Sequence, residues 1–139
     1  MIVIVGATAS GKSVLAIQLA KKFNGEIISA DSRQIYRGMD IGTAKPTKEE
    51  MATIPHHLID IKNPDENYTV AEYKKDALKA IKKIIIKGHL PILVGGTGLY
   101  IDAVLFDFDF LPPGDRLERQ KLNRLSLEDL TRLIEDKGL

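Results

Sequence analysis

The sequence predicts an α/β fold, a parallel sheet flanked by helices with a phosphate-binding loop at the strand ends. Three observations carry this expectation. Short apolar runs alternate with helical segments; one run leads into a lysine-bearing glycine loop; another ends in Gly95-Gly96-Thr97-Gly98. Alternation of this kind implies parallel strands joined by crossover helices.

The elements follow in order. Ile2 to Val5 is a continuous apolar run, as expected of a strand buried on both faces. Val14 to Phe23 reads as a helix with Leu15, Ala16, Leu19, Ala20 and Phe23 on its buried face, Lys21 and Lys22 near its end and Gly25 as its terminator. Glu26 to Ala30 is a second strand. Residues 31–55, with Gly38, Gly42, Pro46 and Pro55, read as a long irregular connection, a type that is often functional. His57 to Ile61 is a short strand, and Asn63-Pro64-Asp65 a turn. Thr69-Val70-Ala71-Glu72 is a capping box opening a helix to Lys87, with Val70, Tyr73, Ala77, Ala80, Ile81 and Ile84 inward. Gly88 stops it, Ile92 to Val94 is the next strand, and a further helix starts near Leu99.

Beyond Asp107 the character changes. Phe108, Phe110, Leu111 and Pro112-Pro113 read as a connection out of the core. Six basic and six acidic residues then alternate between Asp115 and Lys137, and Ser126 to Asp136 reads as a capped helix. The division expected is a catalytic core over 1–113 and the start of a helical extension over 114–139.

Composition narrows the classes. The 139 residues are 44% hydrophobic and 28% charged, an ordinary globular balance, with a net charge of +1 that makes no case for nucleic-acid binding by bulk charge. Without cysteine, disulfides and thiolate metal sites are excluded. No apolar run approaches the roughly 20 residues of a membrane helix, and the start lacks the marks of a signal peptide. A cytoplasmic protein without membrane contact is expected.

Gly6-Ala7-Thr8-Ala9-Ser10-Gly11-Lys12-Ser13 matches G-x-x-x-x-G-K-[ST] throughout. Its glycines let successive N–H groups point inward as an anion nest, and the following helix adds its positive end. Lys12 supplies a point charge to terminal phosphates and Ser13 a hydroxyl to Mg²⁺. The motif follows a strand and opens a helix, so the fold expected is P-loop NTPase-like; the loop itself does not say which polyphosphate it takes. Asp31 ends a strand and faces the same crevice, where it can hold Mg²⁺ through water or accept a proton; as a plain turn residue it would do neither. The third strand ends in glycines rather than in a magnesium-binding aspartate. Thr97 is aimed at the crevice there or caps the next helix, two compatible roles.

Residues Ala30-Asp31-Ser32-Arg33-Gln34-Ile35-Tyr36-Arg37-Gly38-Met39-Asp40-Ile41-Gly42-Thr43-Ala44-Lys45-Pro46 resemble the signature stretch of the tRNA dimethylallyltransferases. Pro55-His56-His57-Leu58-Ile59-Asp60 and Gly95-Gly96-Thr97-Gly98-Leu99-Tyr100 resemble two further blocks of that family. The resemblance implies transfer of a dimethylallyl group from dimethylallyl diphosphate to N6 of the adenine beside a tRNA anticodon, in a monomeric enzyme. It implies that Gly6 to Ser13 grips the diphosphate, in a loop commonly described as ATP-binding, with Lys12 and Mg²⁺ at Ser13. Asp31 would be the proton acceptor and Thr97 a contact of the reacting centre and the tRNA. Asp31, Ser32, Arg33, Gln34 and Arg119 would be further tRNA contacts. The family's helical insertion and a downstream Gln-Arg motif, which hold the anticodon arm, would lie largely beyond Leu139, leaving this chain with the donor site and little activity of its own. A P-loop small-molecule kinase explains the loop but not Asp31 to Pro46; an adenylate isopentenyltransferase shares the core; a domain that only binds diphosphate is the non-enzymatic alternative. His56 and His57 lack a third metal ligand at clear spacing and are expected to pack or hydrogen-bond beside the crevice, while His89 serves a helix end.

Overall fold

The computed structural model describes residues 1–111 and 114–138, apart from the side chain of Arg116. The chain divides into two compact units, Met1–Asp109 and Phe110–Leu139. The expected exit at Pro112-Pro113 falls outside the described residues.

The first unit runs β1 (Ile2–Val5), α1 (Lys12–Phe23), β2 (Gly25–Ala30), α2 (Lys48–Thr53), β3 (His56–His57), α3 (Val70–Ile86), β4 (Leu90–Gly95) and α4 (Gly98–Leu105). The strands form one sheet in the order β1-β4-β2-β3, with every pairing parallel. β4 is therefore interior, and Ile92, Leu93 and Val94 are buried. The pleat sends alternate residues to opposite faces. Ile28, Ala30 and Leu93 join one core with Tyr73, Ala77, Ala80 and Ile84 of α3 and with Tyr100, Ile101 and Val104 of α4. Ile27, Ile92 and Val94 join the other with Ala16, Ile17 and Ala20 of α1. Covering both faces is why these strands read as unbroken apolar runs.

α3 begins at the expected capping box: the Thr69 hydroxyl accepts from the Glu72 N–H, and the Glu72 carboxylate accepts from the Thr69 N–H. Tyr73, Ala77, Ala80 and Ile84 are buried, Val70 and Ile81 partly so. The Tyr73 hydroxyl donates to the Ser29 carbonyl at 3.1 Å, and its ring stacks on Tyr100 at 3.9 Å between centroids, fastening α3 and α4 to β2.

Four expectations need correction. The inward stripe of α1 is Ala16, Ile17 and Ala20, whereas Leu15 and Phe23 are about half exposed. Ile17, not Leu15, shares the face on which the two small alanines let the helix lie close to the sheet. The helix ends at Asn24, left-handed at φ 52, and Gly25 is already in β2. Residues 31–55 are not wholly irregular: Thr47 and Glu50 form a second capping box, which opens α2. β3 is only His56–His57, because Leu58 and Asp60 take positive φ values of 62 and 55 that no continuing strand accepts.

The second unit holds α5 (Arg116–Leu122) and α6 (Leu127–Asp136). α6 is capped by Ser126, as expected, and α5, capped by Asp115, falls in the stretch expected to begin a helical extension. Among the described residues no helix is long and apolar enough to cross a membrane.

Candidate functional site

The site lies in the first unit, at the C-terminal ends of β1, β2 and β4, where open parallel sheets place their ligands. The loop from Gly6 to Ser13 leaves β1 and winds into α1. Gly11 has φ 85, which a side chain would strain, and Ala9 also stands at φ 62. The Ser10 N–H donates to the Ala7 carbonyl at 3.3 Å. Lys12 folds back so that its ammonium donates to the same carbonyl at 2.5 Å.

The start of α1 differs from that of other helices in a way that lets it accept an anion. α2, α3, α5 and α6 each carry an acidic residue in the first turn and a side-chain cap, which satisfy the free N–H groups and the positive end from within. α1 has no acidic residue there, and Gly11 offers no side chain. Its N–H groups are left to a ligand.

A cavity of about 350 Å³ opens at this point. Thr8, Ala9, Ser10, Gly11, Lys12 and Ser13 line one side. Asp31, Gln34 and Thr43 to Pro46 face them, with His56, Ile59 and Glu50 beyond. Gly6 and Ala7 instead border a neighbouring hollow with Gly98 and Asp102, and Gly95 and Gly96 border both. Gly95 has no alternative, since a Cβ there would lie 2.0 Å from the Ala30 carbonyl oxygen.

Asp31 has two separate uses for its carboxylate. Oδ1 accepts from the N–H groups of Arg33 at 2.8 Å and Gln34 at 3.3 Å, the turn role weighed in the sequence. Oδ2 has no hydrogen-bond partner among the described residues. Gln34 reaches across the same segment: its Oε1 accepts from the Ser29 hydroxyl at 2.9 Å, and its Nε2 donates to the carbonyls of Thr43 and Ala44.

Thr97 differs from the expectation. It precedes α4, but its side chain makes no cap hydrogen bond and does not border the 350 Å³ cavity. Its Oγ1 accepts from the Ser32 N–H at 3.0 Å, and its own N–H donates to the Ala30 carbonyl. It thus pins the strand end that carries Asp31. Ser32 and Arg33 lie on that turn outside the cavity lining, and Arg33 is exposed. Arg119 is exposed in α5, in the second unit.

The donor set suits one hard cation taken up with a phosphate ligand. Among the described residues no group of three or more His, Asp or Glu is placed to hold a metal. Ser13 and Asp31 do border the cavity. Magnesium keeps several waters and binds through one or two protein oxygens plus substrate phosphates, so these residues fit it.

The two histidines of β3 part company. His56 borders the cavity, and its Nδ1 donates to the Ile54 carbonyl at 2.7 Å, which makes Nε2 the acceptor. Burial, opposed by that hydrogen bond, holds its pKa below the usual histidine value. His57 turns away to Glu26, a charged residue only 1% exposed at the other end of β2. Glu26 Oε2 meets His57 Nε2 at 2.6 Å, and Oε1 meets His89 Nδ1 at 2.7 Å and Lys87 Nζ at 3.0 Å. The expected helix-end role of His89 is thus part of a clasp over β2, β3 and the α3–β4 corner. Burial alone would raise the Glu26 pKa; its hydrogen bonds to His57, His89 and Lys87 outweigh burial and bring it to about 2. A carboxylate depressed in the fold stabilises fully above its unfolded value of 4.5 and loses that contribution as pH falls towards 2. The difference in unfolding free energy between the wild type and Glu26→Gln, read by urea titration, is expected to shrink by on the order of 3 kcal/mol between pH 6 and 2. A pH-independent difference would mean that Glu26 is not held as the ion.

Comparison with known proteins adds to this geometry. The family model described as IPP transferase matches residues 34–136. The tRNA dimethylallyltransferase of Bacillus anthracis is 58% identical over 127 residues, which are 91% of this chain and 40% of the relative; that of Bacillus cereus strain AH187 gives the same figures. The chain thus spans about 40% of the length of these curated relatives. Among solved structures, the tRNA delta(2)-isopentenylpyrophosphate transferase of Staphylococcus epidermidis is 55% identical, with a TM-score of 0.74 over 93% of this chain and 41% of its own. The full-length tRNA isopentenylpyrophosphate transferase of Bacillus halodurans is 47% identical, with a TM-score of 0.77 over 99% of this chain and 47% of its own. A eukaryotic dimethylallyltransferase acting on tRNA is 36% identical, with a TM-score of 0.76 over 94% of this chain and 31% of its own. With the model covering most of the chain, and the fold shared at such identities, the chain belongs to the IPP transferase family.

Proposed function

We propose that this chain supplies the donor half of a tRNA dimethylallyltransferase. The observation that carries the reading is the single cavity bordered by the anion loop on one side and by Asp31 and Gln34 on the other. The first unit is the catalytic core and the second begins the helical part that meets tRNA. Dimethylallyl diphosphate binds with its phosphates in the Gly6–Ser13 loop, where loop N–H groups and Lys12 receive the charge that grows as the C1–O bond breaks. Ser13 would hold Mg²⁺ together with the diphosphate, and the ion would supply charge neutralisation to the leaving group. The N6 of an adenine bonds to C1, and its proton passes to Oδ2 of Asp31, the oxygen not occupied by the turn. Thr97 holds the Asp31 strand end in place, and Ser32, Arg33, Gln34 and Arg119 contact the tRNA. The target base must leave its stack to reach the cavity. The reading places the protein in the cytoplasm with tRNA.

The test uses labelled dimethylallyl diphosphate and Mg²⁺ with tRNA, AMP or water as acceptor. It compares this chain with the same chain joined to the remaining C-terminal portion of the Bacillus anthracis relative. Label on a tRNA adenine N6 from the joined protein, and little from the 139-residue chain, is the expected result. Label on AMP instead identifies an adenylate isopentenyltransferase, and phosphate transfer in a parallel reaction given labelled ATP identifies a kinase.

A further inference from the structure

We infer that Lys45 is a positioning residue, which clasps the 31–46 segment against the cavity, and not a ligand of the donor's phosphates. The inference rests on the prenyl-transfer reading only for its effect on rate.

A lysine bordering a phosphate cavity invites the simpler view that it grips the anion. The geometry opposes that view. The Lys45 side chain is 4% exposed. Its ammonium donates to the Tyr36 carbonyl at 2.9 Å, to Asp40 Oδ1 at 2.6 Å and to Asp60 Oδ1 at 2.7 Å. An ammonium has three N–H donors, and all three are taken. With two aspartates on one lysine, the cluster is formally negative and repels an added anion. Burial would lower the pKa of the ammonium, but the two aspartates outweigh it and raise it, so the group stays charged.

What the clasp holds is the wall that faces the loop. Tyr36 and Asp40 lie in the segment itself, and Asp60 lies beyond β3, so one ammonium ties together stretches well apart in sequence. Next to Lys45, the carbonyls of Thr43 and Ala44 accept from Gln34 Nε2. Gln34 in turn shares the turn that Asp31 closes with Oδ1. Ala44, Leu58 and Asp60 all stand at positive φ around the clasp. Side chains rarely keep such backbone unless surrounding contacts over-determine it. Backbone N–H groups of Arg37, Asp60, Ile61 and Lys62 keep residues 34–37 on residues 60–62 without Lys45. Release of the ammonium therefore loosens residues 38–46, whose carbonyls at Thr43 and Ala44 tether Gln34, while leaving the 6–13 loop untouched.

The experiment compares Lys45→Met with wild type. Binding of magnesium pyrophosphate to this chain, by calorimetry, is expected to change by less than about threefold, against the roughly 100-fold expected from losing a charged phosphate ligand. Amide hydrogen exchange is expected to speed up chiefly in residues 38–46, because residues 34–37 and 60–62 keep their mutual backbone hydrogen bonds. In the joined protein, kcat should fall at least about tenfold with the KM for dimethylallyl diphosphate held, since the lost contact acts through Asp31 and not on the donor. If Lys45→Met leaves two aspartates too close to fold, Asp60→Asn keeps the shape and one ion pair, and should show the same split more weakly. Loss of pyrophosphate affinity on the scale of a phosphate ligand would overturn the proposal. So would unchanged exchange across 38–46. A wild type that binds pyrophosphate but transfers no prenyl group would count against the prenyl-transfer reading alone, because affinity and exchange still decide the role of Lys45.

Discussion

Replacing Lys12 with alanine is expected to weaken binding of magnesium dimethylallyl diphosphate to this chain by about 3 kcal/mol, roughly 100-fold in Kd. The lysine follows the left-handed Gly11 and shares the cavity wall with Ser10 and Ser13. Its ammonium rests on the Ala7 carbonyl within the loop, so a short swing brings it to a phosphate seated there. Alanine keeps the backbone N–H groups and the helix end but removes the one mobile charge. The loss should therefore be large without being total, and the unfolding midpoint should hold, because Lys12 ties no other element down. Calorimetry with pyrophosphate and with dimethylallyl diphosphate should give similar losses, since the charge meets only the phosphates. Unchanged affinity for both would reject the loop as the donor site.

Asp31→Asn is expected to act on rate and not on donor binding. The asparagine oxygen still accepts from the Arg33 and Gln34 N–H groups, so the turn and the Gln34 tether persist. What disappears is the second carboxylate oxygen, the proton acceptor of the proposed reaction. Losses from removing a general base are typically about 10²- to 10⁴-fold, to be read as single-turnover transfer by the joined protein. Donor affinity measured beside it should move little. If affinity for the magnesium diphosphate collapsed while the rate held, Asp31 would serve the metal side of the site instead. Together the two variants test the walls of the cavity separately: Lys12→Ala probes the proposed diphosphate contact, Asp31→Asn the proposed contact with the amine.

Much of this was legible from local sequence. The Gly6–Ser13 loop, the Thr69–Glu72 capping box, the Ser126 cap and the strand ending at Asp31 each depend on a few adjacent residues and on the backbone they permit. α2 is equally legible in Thr47 and Glu50, although the prolines and glycines around that box read as an irregular connection. The inward face of α1 is not fixed by local sequence, because two stripes of that helix are apolar and only the approach of Ala16 and Ala20 to the sheet chooses between them.

The sequence by itself determined that a parallel sheet carries a G-x-x-x-x-G-K-S loop, and that a carboxylate stands at a neighbouring strand end. Tertiary structure decided what each polar group is free to do. Strand order put β4 between β1 and β2 and so brought Gly95 against Ala30. It turned Thr97 from the cavity to Ser32, gave Glu26 to His57, His89 and Lys87, and closed Lys45 onto Asp40 and Asp60. Conformational preference is a property of neighbours along the chain. A hydrogen-bond partner is chosen by register and packing between segments tens of residues apart, and those are settled only when both cores close on the sheet.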